Sequence, residues 1–315
     1  MDAINVATVD YHTAGHAFRI AAEGVPDLPG ETVRARRRAV PAEADLVRRL
    51  LCHEPRGHAG MYGCFLVPPD DDGAHLGALF WHRDGYSTAC GHGTIALGAW
   101  AVESGRVRAA PDGLTDVVID VPSGRVTATV RCAAGRVESV RFRNVPAYVL
   151  ARAVPVRTTY GAAKADVAYG GAVYASVRAG DLGLTVASAA LHELVTAGRE
   201  IQRELADTAD VYGVTLYDEL GVDHQRSVTI FGDGQVDRSP SGSGTTARLA
   251  LLDSDAPVTD AFVHESITGA RLVGRVVDRG PEGVTGEIEG MAYRTGEHRF
   301  VLDPRDPIGP GFAIA

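Results

Sequence analysis

Short runs in which apolar and polar residues alternate recur along the chain: INVATV, LGALFWH, TDVVIDV, RVTATVRC, VESVRF, GLTVAS, SVTIFG and HRFVLD. They are rich in Val, Thr and Ile and bounded by Gly, Pro, Asp or Asn, and so predict strands. A different period marks PAEADLVRRLLCHE, whose apolar residues return at helical spacing behind a Pro-Ala-Glu opening suited to a first turn. The segment HELVTAGREIQRELAD predicts a second amphipathic helix, exposed on one side, with Val195, Ile201 and Leu205 on or near one face. TIALGAW and TTARLALL are apolar all round and predict buried helices. Strands interleaved with a few helices place the chain in the α/β (α+β) class.

The 315 residues are about twice an ordinary domain, which suggests two lobes. Apolar residues at 45% and charged residues at 23% exclude a disordered or disulfide-framed chain. Thirty-one basic against 40 acidic side chains leave a net charge of −9, which argues against nucleic acid or an anionic membrane as a partner. No apolar run approaches the roughly 18 residues of a membrane span, and the opening MDAINVATVDYHTAGH lacks a signal-peptide pattern, so cytoplasm is the expected location. Four cysteines without a C-x-x-C give no support for a zinc or redox site. Cys52, Cys64 and Cys132 read as small buried apolar residues; Cys90 does not.

What sets Cys90 apart is a repeat. Residues 90–99 read CGHGTIALGA and residues 241–250 read SGSGTTARLA, both fitting [C/S]-G-x-G-T-x-A-x-x-A about half the chain apart. With 37 glycines in the chain, one Gly-x-Gly carries little. The matched context carries more: each copy follows a strand-like run and a polar turn, and each opens a buried helix. The expected architecture is two pseudo-symmetric lobes, 1–150 with a returning C-terminal segment at about 300–315, and 151–299, with the two motifs facing a shared cleft.

A helix N-terminus leaves backbone N–H groups unpaired and carries partial positive charge, so glycines there make a natural carboxylate or phosphate site. The same field favours the thiolate of a cysteine at that place, which would let Cys90 act as nucleophile or proton acceptor. Ser241 is far too weak an acid to exchange a proton with carbon unaided, but it can give or take a hydrogen bond. Neither copy has the Lys of a P-loop or the third Gly of a dinucleotide fingerprint.

The segments GYSTACGHGTIALGAW and DGQVDRSPSGSGTTARLALL resemble the two signature segments of the proline racemase superfamily. VDYHTAGHAFRI, HEPRGHAGMYGCFL and VLDPRDPIGPGF extend that resemblance over residues 9 to 312 in the expected order. It implies a fold shared with diaminopimelate epimerase, in which each lobe curls a mixed sheet around a central helix. Members that racemise proline or epimerise 4-hydroxyproline usually carry Cys at both motif positions, and members with Cys then Thr are associated with trans-3-hydroxy-L-proline dehydration. Cys90 with Ser241 is similar to the second kind. The resemblance therefore implies abstraction of the α-proton by the Cys90 thiolate, loss of the 3-hydroxyl with help from Ser241, water or Cys90 itself, and release of pyrroline-2-carboxylate. Neither a metal nor an organic cofactor is expected.

By the same resemblance Asp237 contacts the ring nitrogen of the substrate, while Gly91, His92, Gly242 and Ser243 offer backbone amides to its carboxylate. An Asp in a turn can equally bond its own backbone, and Ser243 can cap a helix. Arg56, His58 and Tyr62 read as structural support. His53, His75, His82, His192, His224, His264 and His298 read as solvent-facing, and the arginines at 34–38 and 48–49 as solvated. Two departures stand out: His16 where the family usually has Glu after HTxG, and Ala172 where it often has Asn. A 4-hydroxyproline 2-epimerase or proline racemase-like isomerase, and a non-catalytic binder of proline analogues, stay open as alternatives. The partner expected is a small hydroxyproline or proline-like amino acid, with a homodimer possible.

Overall fold

The computed structural model describes residues 4–232 and 234–313. Residues 1–3, 314 and 315 of the first expected lobe, and Asp233 at the head of the second signature segment, lie outside the described residues. Two compact units divide the chain, one running up to Val140 and resuming at Met291, the other Arg141–Gly290. The reading from sequence put these limits at 150 and about 300. The second limit stands at Met291 because a long strand, Ala292–Leu302, pairs antiparallel with Ile4–Thr13 from Thr13↔Ala292 to Ile4↔Leu302.

In the first unit, Ile4–Thr13 also pairs antiparallel with His16–Glu23. That strand runs parallel to Tyr62–Val67, which is antiparallel to Leu76–His82. Leu76–His82 continues parallel to Gly113–Val121, and the latter forms a hairpin with Gly124–Ala133. The second unit repeats the scheme. Tyr148–Thr158, Gly161–Tyr169 and Val173–Arg178 pair antiparallel in turn. A parallel step leads to Gly213–Gly221, an antiparallel one to His224–Phe231, a parallel one to Phe262–Ser266, and an antiparallel one to Arg271–Gly280. Gly283–Gly290 adds a last antiparallel strand. Two runs of six pairings in the same sense give the short motif repeat its structural basis.

Each unit also places a helix at the same two points of this scheme. Both parallel crossovers from the third to the fourth strand carry an amphipathic helix, Ala42–Cys52 in one and Leu191–Glu204 in the other. Leu194, Ala197 and Ile201 of the latter enter the core with Val214, Leu216, Val228 and Ile230, as expected for apolar residues returning every three or four positions. Both crossovers from the fifth to the sixth strand carry the motif helices, Gly91–Glu103 and Gly242–Asp255. Residues 91–101 and 242–251 are buried without interruption, which is what a helix apolar on every side requires. Among the described residues no helix is long and apolar enough to cross a membrane.

Most expected strands are present, but GLTVAS is not one. A 3-10 turn, Ala179–Leu182, ends at Gly183 in the left-handed region (φ +67°), and the following loop buries Val186 while its N–H donates to Asp218 Oδ2 at 2.7 Å. The alternation there comes from a loop packed on the core, not from a pleat. The solvated reading of two arginines also fails. Arg36 donates to the Pro68 carbonyl at 2.8 Å and Arg48 to the carbonyls of His82 and Arg83, so both guanidiniums are buried. Carbonyls distant in sequence meet their hydrogen-bonding needs.

Candidate active site

Cys90 is the N-cap of the Gly91–Glu103 helix, with extended backbone (φ −155°). Its sulfur accepts a hydrogen bond from the Gly93 amide at 3.3 Å, and its carbonyl accepts from both the amide and the hydroxyl of Thr94 at 2.9 Å. Glycine at 93 is required by close approach: a Cβ there would lie 2.4 Å from the Phe18 ring and 2.8 Å from the Cys90 sulfur.

The loop leading to Cys90 is braced residue by residue. Arg37 donates twice to the Tyr86 carbonyl, at 3.0 and 2.7 Å. Tyr62 donates its hydroxyl to Ser87 Oγ, which donates in turn to the Ala89 carbonyl at 3.3 Å. Thr13, from the HTAG segment, donates to the His92 carbonyl at 2.9 Å. The His92 ring is buried against His16, Tyr62 and Phe18, at centroid distances of 4.5, 5.2 and 5.7 Å. Both its nitrogens lie 3.6 Å from the Cys90 sulfur. Equal distances put the sulfur off the outward lone-pair direction of either nitrogen, so the contact is packing of sulfur on an aromatic ring.

All four cysteines are free and buried. Burial pushes the Cys52 thiol up to about 11 despite the Arg48 charge beside it, and pushes Cys64 and Cys132 up as well. Those three are inert fillers. Cys90 is set apart by an amide N–H aimed at its sulfur.

Ser241 occupies the same place in the second unit. It caps the Gly242–Asp255 helix; Gly244 N donates to Ser241 Oγ at 3.2 Å, and the Ser241 carbonyl accepts from Thr245 N at 2.8 Å and Thr245 Oγ1 at 2.6 Å. Its backbone differs from that of Cys90, with φ +64° in a region costly for a residue with a Cβ. Asp237, 1% exposed, accepts at Oδ1 from the amide and hydroxyl of Ser239 at 2.8 and 2.7 Å. Ser239 Oγ then accepts from Ser241 N at 3.1 Å. The carboxylate of Asp237 and the cap of the helix are thus one network. Ala172, in the place of the family Asn, is buried beside Ala168, Tyr174 and Ala247.

Of the residues singled out in the sequence, Cys90, Gly91 and His92 gather at the head of one helix, and Asp237, Ser241, Gly242 and Ser243 at the head of the other. Arg56 is structural, donating to the Val301 and Gly309 carbonyls and to Asp306. His264 is fully buried, contrary to its solvent-facing reading: its Nδ1 lies 2.8 Å from Thr245 Oγ1. A pleat turns it inward among polar neighbours, so composition gave no signal. Ser239 was missed too, although an Asp two residues before a Ser is a recognisable turn pattern. Among the described residues no group of three or more His, Cys, Asp or Glu side chains could hold a metal ion.

The family model described as proline racemase matches residues 8–313. A trans-3-hydroxy-L-proline dehydratase of Bacillus cereus is 38% identical over 98% of this chain and 97% of its own. Among solved structures, a probable proline racemase from Agrobacterium radiobacter with bound carbonate superposes with a TM-score of 0.92 at 30% identity, over 98% of this chain and 96% of that one. A hydroxyproline epimerase from Agrobacterium vitis with bound trans-4-hydroxy-L-proline gives 0.91 at 29%, over 99% and 96%. With both motif helices in place and a match running nearly end to end, the chain belongs to the proline racemase family.

Proposed function

We propose that this protein dehydrates trans-3-hydroxy-L-proline, with Cys90 as the base and Ser241 assisting the departing hydroxyl. One observation carries the choice over racemisation: all four cysteines lie in the first unit, so the second unit, where Ser241 holds the equivalent cap, has no thiol to offer. Inversion at the α-carbon needs an acid and a base on opposite faces, whereas elimination needs one base and a leaving group on the next carbon. The 38% identical Bacillus dehydratase supports the same substrate.

In this reading the Cys90 thiolate, stabilised by the Gly93 amide, removes the α-proton and becomes a thiol. Charge spreading onto the carboxylate meets the amides at the helix heads, to which Gly91, His92, Gly242 and Ser243 contribute. Asp237 pairs with the ring ammonium. The C3–O bond breaks as Ser241 donates a hydrogen bond to the departing hydroxyl, the Cys90 thiol supplies the proton with which that hydroxyl leaves as water, and a double bond forms between the α- and 3-carbons. Tautomerisation then gives pyrroline-2-carboxylate. Ser241 keeps its proton throughout, and loss of the thiol proton to the departing water returns Cys90 to the thiolate.

The test is incubation in deuterated water with trans-3-hydroxy-L-proline and, separately, trans-4-hydroxy-L-proline. Cyclic imine from the first, and neither imine nor inversion from the second, is the expected result. Inversion of the 4-hydroxy compound without imine from the 3-hydroxy one overturns the proposal. Cys90→Ser is expected to remove turnover by about 10³-fold or more, since an alkoxide base is inaccessible near neutral pH.

A further inference from the structure

His264 sits beneath the Ser241 cap, fully buried on the Phe262–Ser266 strand, and nothing in the proposed chemistry uses it. Counting protons assigns its state. Thr245 Oγ1 has one hydrogen and two close partners: the Ser241 carbonyl at 2.6 Å, which can only accept, and His264 Nδ1 at 2.8 Å. With the hydroxyl hydrogen on the carbonyl, Nδ1 must carry the hydrogen that joins it to Thr245. The remaining nitrogen, Nε2, is buried without a hydrogen-bond partner. An orphaned lone pair is tolerated there more readily than an orphaned N–H, which favours the same tautomer. Burial, followed by the charges of Arg248 and His224, pushes the imidazole down to about 3, so the ring stays a neutral donor.

The chain His264 Nδ1–H to Thr245 Oγ1 to the Ser241 carbonyl ends on a strained residue. At φ +64° the Ser241 backbone persists only if its surroundings hold it. A hydroxyl that accepts from an N–H is the stronger donor, and the Thr245 contact is shorter than its counterpart from Thr94 to the unstrained Cys90 carbonyl, 2.6 against 2.9 Å. We propose that His264 is a positioning residue: through Thr245 it fixes the cap geometry that aims the Ser241 hydroxyl. The inference rests on the proposed function, in which that hydroxyl serves the leaving group.

Its test reads two steps at once. With trans-3-hydroxy-L-proline in deuterated water, α-deuteration of recovered substrate reports proton removal by Cys90, and imine reports departure of the hydroxyl. His264→Leu and Thr245→Val are each expected to lower imine formation about 10- to 100-fold and to change deuteration by less than about 3-fold, so that exchange per imine rises. His264→Asn, which restores an N–H donor, is expected to return the ratio to within about 3-fold of wild type. A role in stability alone would lower both signals together, and an unchanged ratio in the two disabling variants overturns the inference. If the wild-type protein makes no imine, the dehydratase reading itself falls and the inference with it. Imine from wild type with unaltered ratios sinks the inference alone.

Discussion

Gly93→Ala asks whether the contact between the first motif and its sulfur is as tight as the geometry implies. Gly93 has ordinary helical backbone, so alanine costs nothing in conformation and would add up to about 1 kcal/mol of helix propensity. The opposing effect is steric. A methyl group would stand 2.4 and 2.7 Å from two Phe18 ring carbons and 2.8 Å from the Cys90 sulfur. Phe18 is fully buried and its ring lies between those of Phe80 and His92, so it has nowhere to turn. Overpacking of this kind costs about 1–3 kcal/mol, which leaves a net loss of up to about 2 kcal/mol when the full propensity gain is set against it. The sulfur is the softer neighbour and is expected to move several tenths of an ångström from the Gly93 amide. A weakened N–H···S bond is expected to slow α-proton exchange about 10- to 100-fold, or about 1.4–2.7 kcal/mol of barrier. Gly244→Ala is the internal control, because the nearest neighbours of its methyl are Ser241 atoms at 3.0 Å and the Tyr174 ring at 3.6 Å. It is expected to stay within about 1 kcal/mol of wild type. Urea midpoints and deuterium uptake at the α-carbon measure both effects. Wild-type stability together with wild-type exchange in Gly93→Ala would refute the reasoning.

Ser241→Cys places a thiol at each motif position, and is expected to lower imine formation and to introduce inversion at the α-carbon, followed by chiral chromatography of recovered proline derivatives. Arg19→Met is expected to destabilise the first unit by about 3–5 kcal/mol in chemical denaturation, because the guanidinium pairs with buried Asp10 at 2.8 Å and donates to the Leu51 and Arg56 carbonyls. His264 stays neutral in the folded state down to about pH 3, whereas the unfolded chain takes up that proton near 6.5. Its contribution to stability is therefore complete above pH 6.5 and is lost as the pH falls toward 3, at about 1.4 kcal/mol per unit. His264→Leu lacks this slope, so the stability gap between wild type and variant is expected to narrow by about that amount per unit between pH 6 and 4.

The two motif helices were readable because glycine, cysteine and serine at a helix head leave a strong local mark, and because the mark occurs twice. The amphipathic helices were readable from period alone. GLTVAS misled because Leu184 and Val186 meet the core from a loop, and alternation records burial without recording backbone shape. Arg36 and Arg48 were misjudged for a related reason: their partners, the carbonyls of Pro68, His82 and Arg83, are set by tertiary packing and leave no trace near the arginines themselves. His264 is the extreme case. Its neighbours Glu265 and Ser266 are polar, and only its burial and its contact with Thr245 show which way its side chain turns. Of the supporting residues of the site, Ser87 and Ser239 are likewise ordinary in sequence and acquire meaning through the atoms they join, whereas Thr245 is marked as the Thr of the repeated motif.

Because Ala292–Leu302 completes the sheet that Ile4–Thr13 begins, the second unit is spliced into the first, and synthesis from the N-terminus must finish the inner body before the outer one can close. At typical elongation rates the ribosome needs roughly 8–30 s to make Arg141–Gly290. Throughout that interval Ile4–Thr13 shows one bare flank of amide and carbonyl groups, the kind of surface on which nascent chains aggregate. Closure of that sheet thus waits on Ala292–Leu302, and a stop codon shortly before Met291 would release a product with the cysteine present and the flank of Ile4–Thr13 unpaired.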